Sequence, residues 1–221
     1  MKRLEAVAFD IDGTLTEDNS WFNFTNELGG SEAEHITVYE ALGLGTMELS
    51  EAKEQLVAMW AKQGKAYKHT ITDIYEKLPL RTDAYPLFDW IISKEIPVCL
   101  ITGATKQYAA SVAAKLGIEE YYASSELIFD DQDKLIDFDY EVDQTKAKEL
   151  HFAEFCARHS VSVENCVPIG DSYNDMGLFR VTGNGLLLDA EGNAKQELKD
   201  ASFKIVKSSF EAQELLQSFH I

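Results

Sequence analysis

No stretch of the 221-residue chain reaches the roughly 18 consecutive apolar residues that a membrane-crossing helix requires. Met1-Lys2-Arg3 begins with basic residues, but Glu5 and Asp10 interrupt any signal-like apolar segment, so a cytoplasmic protein is expected. Cysteine is scarce. Cys99, Cys156 and Cys166 are odd in number and lack paired spacing, which argues for buried free thiols over disulfides or a zinc site. Positive charge is short as well: 20 Lys and Arg against 38 Asp and Glu leave a formal charge of −18. A surface of that sign is poorly matched to a nucleic-acid backbone or an anionic membrane. It also repels anionic substrates, so a phosphate site would need its own cations: a metal, a lysine and backbone N–H groups. No internal repeat and no low-complexity segment occurs.

What is present starts with a core. The apolar fraction, 45%, is ample for one domain or a domain with an insertion. Ala6-Val7-Ala8-Phe9 predicts a short buried strand, and Asp10-Ile11-Asp12-Gly13-Thr14-Leu15-Thr16 follows it. Gly13 and Thr14 favour a turn there. Two carboxylates one residue apart would crowd each other on one strand face. They need a cation, or one must hold a proton. With a hard cation such as Mg2+, Asp10 can serve as ligand and nucleophile while Asp12 handles the proton.

Residues 20–78 carry helical patterning in four segments, with Ser20, Ser31 and Ser50 near three of the starts. The remainder alternates apolar strands with helices. Ile96 to Gly103 is the second core strand and Thr105 to Leu116 a helix. Tyr121–Ala123 predicts a short strand, and 126–140 two more about a turn at Asp131–Asp133, whose acids suit a hairpin better than a calcium loop. A helix from Lys146 to Arg158, capped by Asp143 or Thr145, precedes the third strand, Cys166 to Asp171. Ser172-Tyr173-Asn174-Asp175 opens a helix; Leu186–Leu188 and Phe203–Val206 are further strands; Ser208 or Ser209 caps a last helix with Phe210, Leu215, Leu216 and Phe219 inward. This alternation predicts an α/β fold, a doubly wound parallel sheet with helices on both faces and a small helical domain inserted in it.

Three core strands end in polar groups: Asp10 and Asp12, then Thr102, then Asp171. Ligands of open parallel sheets bind beyond such strand ends. The ordered set Asp-x-Asp-Gly-Thr, Thr102-Gly103, a lysine, and Gly170-Asp171-Ser172-Tyr173-Asn174-Asp175 resembles the motifs of the haloacid dehalogenase superfamily of phosphohydrolases, and the resemblance covers the whole core. It implies a Rossmann-like core of residues 1–16 and 81–221 with a helical cap, 17–80, similar to that of the phosphoserine-phosphatase-like branch. It implies Mg2+ held by Asp10, Asp12 and Asp171, with Asn174 and Asp175 orienting those ligands. It implies that Thr102, Gly103, Asn174 and a lysine bind the phosphoryl group of a small phosphorylated metabolite, which Asp10 attacks to give an aspartyl-phosphate. Lys146 and Lys148 lie about 200° apart on one helix, so only one can face the site. Lys148 shares the apolar face of Phe152 and Phe155 and also suits the superfamily's spacing; Lys146 is the alternative. Serine-specific members of that branch carry a glutamate shortly after the first motif, where this chain has Asn19-Ser20-Trp21, so phosphatase chemistry is better supported than phosphoserine. The same parts would serve a phosphotransferase or mutase. A receiver-like phospho-switch shares the acidic cluster, but the helical insertion and Asp12 argue against it. Substrate, acceptor and oligomeric state are not encoded in these motifs.

Overall fold

The computed structural model describes residues 3–220. Seven strands form one sheet: β1 (Ala6–Phe9), β2 (Val98–Thr105), β3 (Tyr121–Phe129), β4 (Leu135–Tyr140), β5 (Cys166–Gly170), β6 (Leu186–Leu188) and β7 (Lys204–Val206). Their order is β4-β3-β2-β1-β5-β6-β7, and every pair is parallel except β3 with β4. From β1 the chain builds outward to β2, β3 and β4 on one side and later to β5, β6 and β7 on the other. The strand order therefore reverses at β1, and a crevice opens beyond the carboxyl ends of β1, β2 and β5.

Burial of β1 on both faces accounts for its unbroken apolar sequence. Its alternation sorts the faces. Val7 and Phe9 join the larger core, where the Phe9 ring lies 4.7 Å from that of Phe88 on α5 (Ala84–Ser93). Ala6 and Ala8 point the other way, with Cys99 and Ile101, against Phe152, Phe155 and Cys156 of α7 (Gln144–His159). Alanines on this face leave room for the phenylalanines of α7. Helix α6 (Lys106–Leu116) packs on β2 and β3, while α10 (Ser209–Gln217) lies by α5 and β7. Helices α8 (Met176–Thr182) and α9 (Gln196–Ala201) complete the later half. The three cysteines are free and buried, with Cys156 and Cys166 sulfurs 3.8 Å apart.

The sequence-derived elements shift in three places. The expected separate strand at 121–123 and the first hairpin strand are one continuous β3, because Leu100 to Thr105 of β2 pair with its first half up to Ser125, where pairing with β4 takes over. Phe210, expected inward, is 55% exposed; the apolar side of α10 is carried by Ala212 and Leu216. Ser20 does not cap the first inserted helix. Asn19 does, its side chain accepting from the Trp21 and Phe22 amides.

Four helices lie between β1 and α5: α1 (Ser20–Glu27), α2 (Glu32–Gly43), α3 (Leu49–Ala61) and α4 (Lys68–Lys77). Trp60 is fully buried among them, 4.8 Å from Phe24 and 6.0 Å from Trp21, ring centre to ring centre. Phe138 of β4 packs 5.4 Å from Trp60 and 5.5 Å from Trp21, tying the insertion to the sheet edge. The Thr25 hydroxyl accepts from the Trp60 indole at 2.9 Å and lies 2.7 Å from His35 Nδ1. Thr25 thus ties the Trp60 indole and the His35 ring together inside the bundle.

Burial lowers the His35 pKa to about 4 from 6.5, against the pull of Glu32. A group whose folded pKa is depressed in this direction, as a histidine held neutral, contributes stability fully present above about pH 6.5 and lost as pH falls toward 4. The expected loss approaches about 3 kcal/mol across that window. Urea unfolding at pH 7 and pH 4.5 checks it against His35→Gln, which should lack this component; an equal loss in that variant would rule His35 out as the source.

Candidate active site

The turn after β1 wraps around one carbonyl. The amides of Thr14, Leu15 and Thr16 all point to Ile11 O, at 3.1, 2.7 and 3.2 Å. This bend separates the Asp10 and Asp12 side chains, which an extended strand would have stacked. Gly13 sits at φ +80° directly over Asp171, where any Cβ would collide with the carboxylate. Thr14 Oγ1 donates to Asp171 Oδ1 at 3.0 Å, joining the end of β1 to the end of β5.

Asp10 is buried, and Lys148 is completely so. The Lys148 ammonium lies 3.0 Å from Asp10 Oδ1 as a charge contact, while its directed hydrogen bond goes to Asp175 Oδ1 at 2.6 Å. Lys146 projects to solvent and pairs with Glu149 at 3.2 Å. Lys148 faces the aspartates because it precedes Phe152 and Phe155 by four and seven residues, on the face that α7 buries. Asp175 closes a capping box: its Oδ2 accepts from the Ser172 amide at 3.1 Å and from the Ser172 hydroxyl at 3.2 Å. Gly170 lacks a Cβ because one would collide with Asp175. Oxygens of Asp10, Asp171 and Asp175 lie within 4.8 Å of one another. Asp12, expected among the metal ligands, is not in this group, and Asp175, expected behind the ligands, is. The turn carries the Asp12 carboxylate away to Ser20, whose hydroxyl donates to Asp12 Oδ2 at 2.7 Å. Asp12 Oδ1 is buried with no hydrogen-bond partner.

The charge balance is strained. Four aspartates surround one lysine. Burial raises Asp10 to about 6 despite Lys148, Asp12 to about 7 against the Ser20 hydrogen bond, and Asp171 to about 8, with Asp10 adding to the last. Burial alone would lower Lys148, but Asp10 and Asp175 outweigh it and raise the pKa well above its ordinary value. Carboxyls pushed up in this way hold protons to higher pH than usual, Asp171 most of all, until a cation replaces them. The donor set is all oxygen, which suits a hard cation of the Mg2+ or Ca2+ kind.

Thr102 and Gly103 meet this cluster from β2. Thr102 Oγ1 accepts from the Ala104 amide at 3.1 Å, leaving its own proton to give. Asn174 Oδ1 accepts from Ser172 Oγ at 2.8 Å, so its NH2 remains as a donor, and Nδ2 lies near the open side of Gly103. Gln144, which the sequence did not single out, stands there too, its Oε1 buried and without a partner. A cavity of about 420 Å³ touches Asp10, Asp12, Thr102, Gly103, Asp171 and Asn174 and extends under α1, α2 and α3. Trp21 and Phe22 line it. Phe24 and Tyr67 do not: Phe24 is buried within the bundle and Tyr67 stacks on His69. Ser20 was missed as a site residue because a serine at a helix start reads as a cap.

Relatives share this arrangement's frame. The chain is 25% identical over 202 residues to phosphoserine phosphatase of Archaeoglobus fulgidus, across 91% of this chain and 55% of that one. It spans about half the length of the curated relatives it matches. A phosphoserine phosphatase solved as a phospho-aspartyl intermediate analogue superposes with a TM-score of 0.75 at 19% identity, covering 99% of this chain and 100% of that one. A HAD family hydrolase from Salmonella enterica serovar Typhi gives 0.82 at 16% identity, over 100% of this chain and 73% of that one. These likenesses extend to the fold. The model of the haloacid dehalogenase-like hydrolase family matches residues 4–181, running from the strand before Asp10 past Asp175, and so through every element that builds the aspartate cluster. By that match the chain belongs to the haloacid dehalogenase-like hydrolases.

Proposed function

We propose that this protein is a phosphomonoester hydrolase acting through an aspartyl-phosphate on Asp10. The observation that carries the reading is the placement of Asp10, Asp171 and Asp175 around the buried Lys148 at the point where the strand order reverses. Asp10 attacks phosphorus as the bond to the leaving oxygen breaks. Asp12, held by Ser20 and raised to about 7 by burial, is poised to hold a proton near neutral pH and gives it to the departing alkoxide. The same carboxylate then takes a proton from water, which attacks the aspartyl-phosphate and releases phosphate and free Asp10. Lys148, the Thr102 hydroxyl, the Gly103 amide and the Asn174 NH2 offset charge on the phosphoryl oxygens as it spreads. Asp10 and Asp171, with Asp175 beside them, would hold Mg2+, which when bound supplies further positive charge to the phosphoryl group. The α1–α4 insertion, residues 17–80, acts as a cap that excludes water and reads the leaving group. A small phosphorylated metabolite is the substrate in this reading.

The test is phosphate release from a panel of phosphorylated metabolites with Mg2+. Chelation should abolish turnover, and Mg2+ should restore it and raise the unfolding midpoint. Full activity in excess chelator would sink the metal assignment. Ser20→Ala should cut kcat roughly tenfold by freeing Asp12, with little change in KM and a smaller effect on the unfolding midpoint. An unchanged kcat would mean that Asp12 needs no such anchor.

A further inference from the structure

The cavity is far larger than a phosphoryl group, and its two ends differ in chemistry. One end is the aspartate cluster with Thr102, Gly103 and Asn174; the other is walled by Phe22, Val38, Leu42, Leu56 and Phe138. Among the described residues, no lysine or arginine lines it. Lys148 lies beneath Asp10 and is occupied by two carboxylates. The other ionisable groups on the wall are Glu17 and Asp18 at the mouth, with Glu17 paired to Arg81 at 3.4 Å. His35 also touches the cavity but is neutral at pH 7, for its pKa sits at about 4. Tyr39 and Tyr140 line the cavity as well, and burial holds the Tyr140 phenol protonated.

A substrate carboxylate placed here would lose its water and find no cationic side chain on the wall to pair with, which is costly. An apolar or aromatic group would instead be covered by side chains of α1, α2, α3 and β4. We infer that the group carried by the phosphate is an uncharged, largely apolar alcohol about the size of a phenylalkyl group, and not an amino acid. This inference rests on the phosphate-site reading above. Gln144, with its unpaired Oε1 beside Gly103, stands where the two ends meet and accepts a hydrogen bond from any hydroxyl next to the phosphoester.

The experiment is titration calorimetry of the full chain with Mg2+ and three phosphonates that cannot be hydrolysed. These are 3-phenylpropylphosphonate, propylphosphonate and 2-amino-4-phosphonobutanoate, the last an isostere of phosphoserine. Phenylpropylphosphonate should bind at least tenfold more tightly than propylphosphonate, and the amino-acid phosphonate no more tightly than propylphosphonate. Leu42→Asp, at a partly exposed position of the wall and with cooperative unfolding checked first, should bring the phenylpropyl affinity down toward the propyl value. Equal affinities, or tightest binding of the amino-acid phosphonate, would overturn the inference, as would an unchanged phenylpropyl affinity in Leu42→Asp. Tight phenylpropyl binding without turnover of 2-phenylethyl phosphate would retain it and sink the hydrolase reading. No binding of any phosphonate would sink both.

Discussion

Asp10→Asn is expected to lower turnover by on the order of 10⁴-fold while the protein still unfolds in one cooperative transition. The amide keeps the shape of the carboxylate and removes the attacking charge. It also removes a charge that burial disfavours: the Asp10 pKa stands at about 6, raised first by desolvation and only partly drawn back by Lys148. The variant should therefore keep or slightly gain stability as it loses activity. A phosphoenzyme trapped by acid quench should be absent from Asp10→Asn and should persist in Asp12→Asn, which retains the nucleophile but handles the proton badly. Near-native turnover in Asp10→Asn would mean that another group attacks phosphorus.

Lys148→Met is expected to cost about 3–5 kcal/mol of stability at neutral pH without metal, and nearly all activity. Methionine matches the stem of the lysine, so packing against the sheet survives. What is lost is a fully buried cation between Asp10 and Asp175, at 3.0 and 2.6 Å. Those carboxylates escape part of the cost by taking up protons, so the deficit should narrow as the pH falls. Asp175→Asn in the same chain should return part of the stability, because it removes a charge that has lost its partner. Lys146→Ala, whose lysine is solvated and paired only with Glu149, should stay close to the parent protein. Urea unfolding of the four proteins reads all of this. A Lys148→Met protein as stable as the parent would show that the aspartates were already protonated in the folded state.

The elements were legible where local chemistry is strong. Val7 and Phe9 alternate with Ala6 and Ala8, and that period alone gives a strand with two unlike faces. Asp10, Thr102 and Asp171 at the ends of apolar runs located the crevice, because strand ends in a parallel sheet converge. Legibility failed where a residue serves two local uses. Ser20 at a helix start fits a cap as well as it fits a partner for Asp12, and only Asn19 taking the cap decides between them. Tyr121 to Phe129 reads as two pieces because its apolar pattern lapses at Ser124 and Ser125, yet pairing with both β2 and β4 holds it as one strand.

By itself, then, the sequence determined the α/β alternation, the chain order of the acidic and hydroxyl groups, and a choice of two lysines on one helix. Tertiary structure decided which lysine meets Asp10, that Asp175 joins Asp10 and Asp171 while Asp12 turns to Ser20, and that Phe138 of β4 completes a wall begun by Phe22, Val38 and Leu56. The division has a physical cause. Strand and helix preferences act between residues a few positions apart, so they can be read along the chain. A carboxylate's partners and a cavity's lining depend on helix rotation, strand register and the packing of distant segments, which exist only once the core has closed.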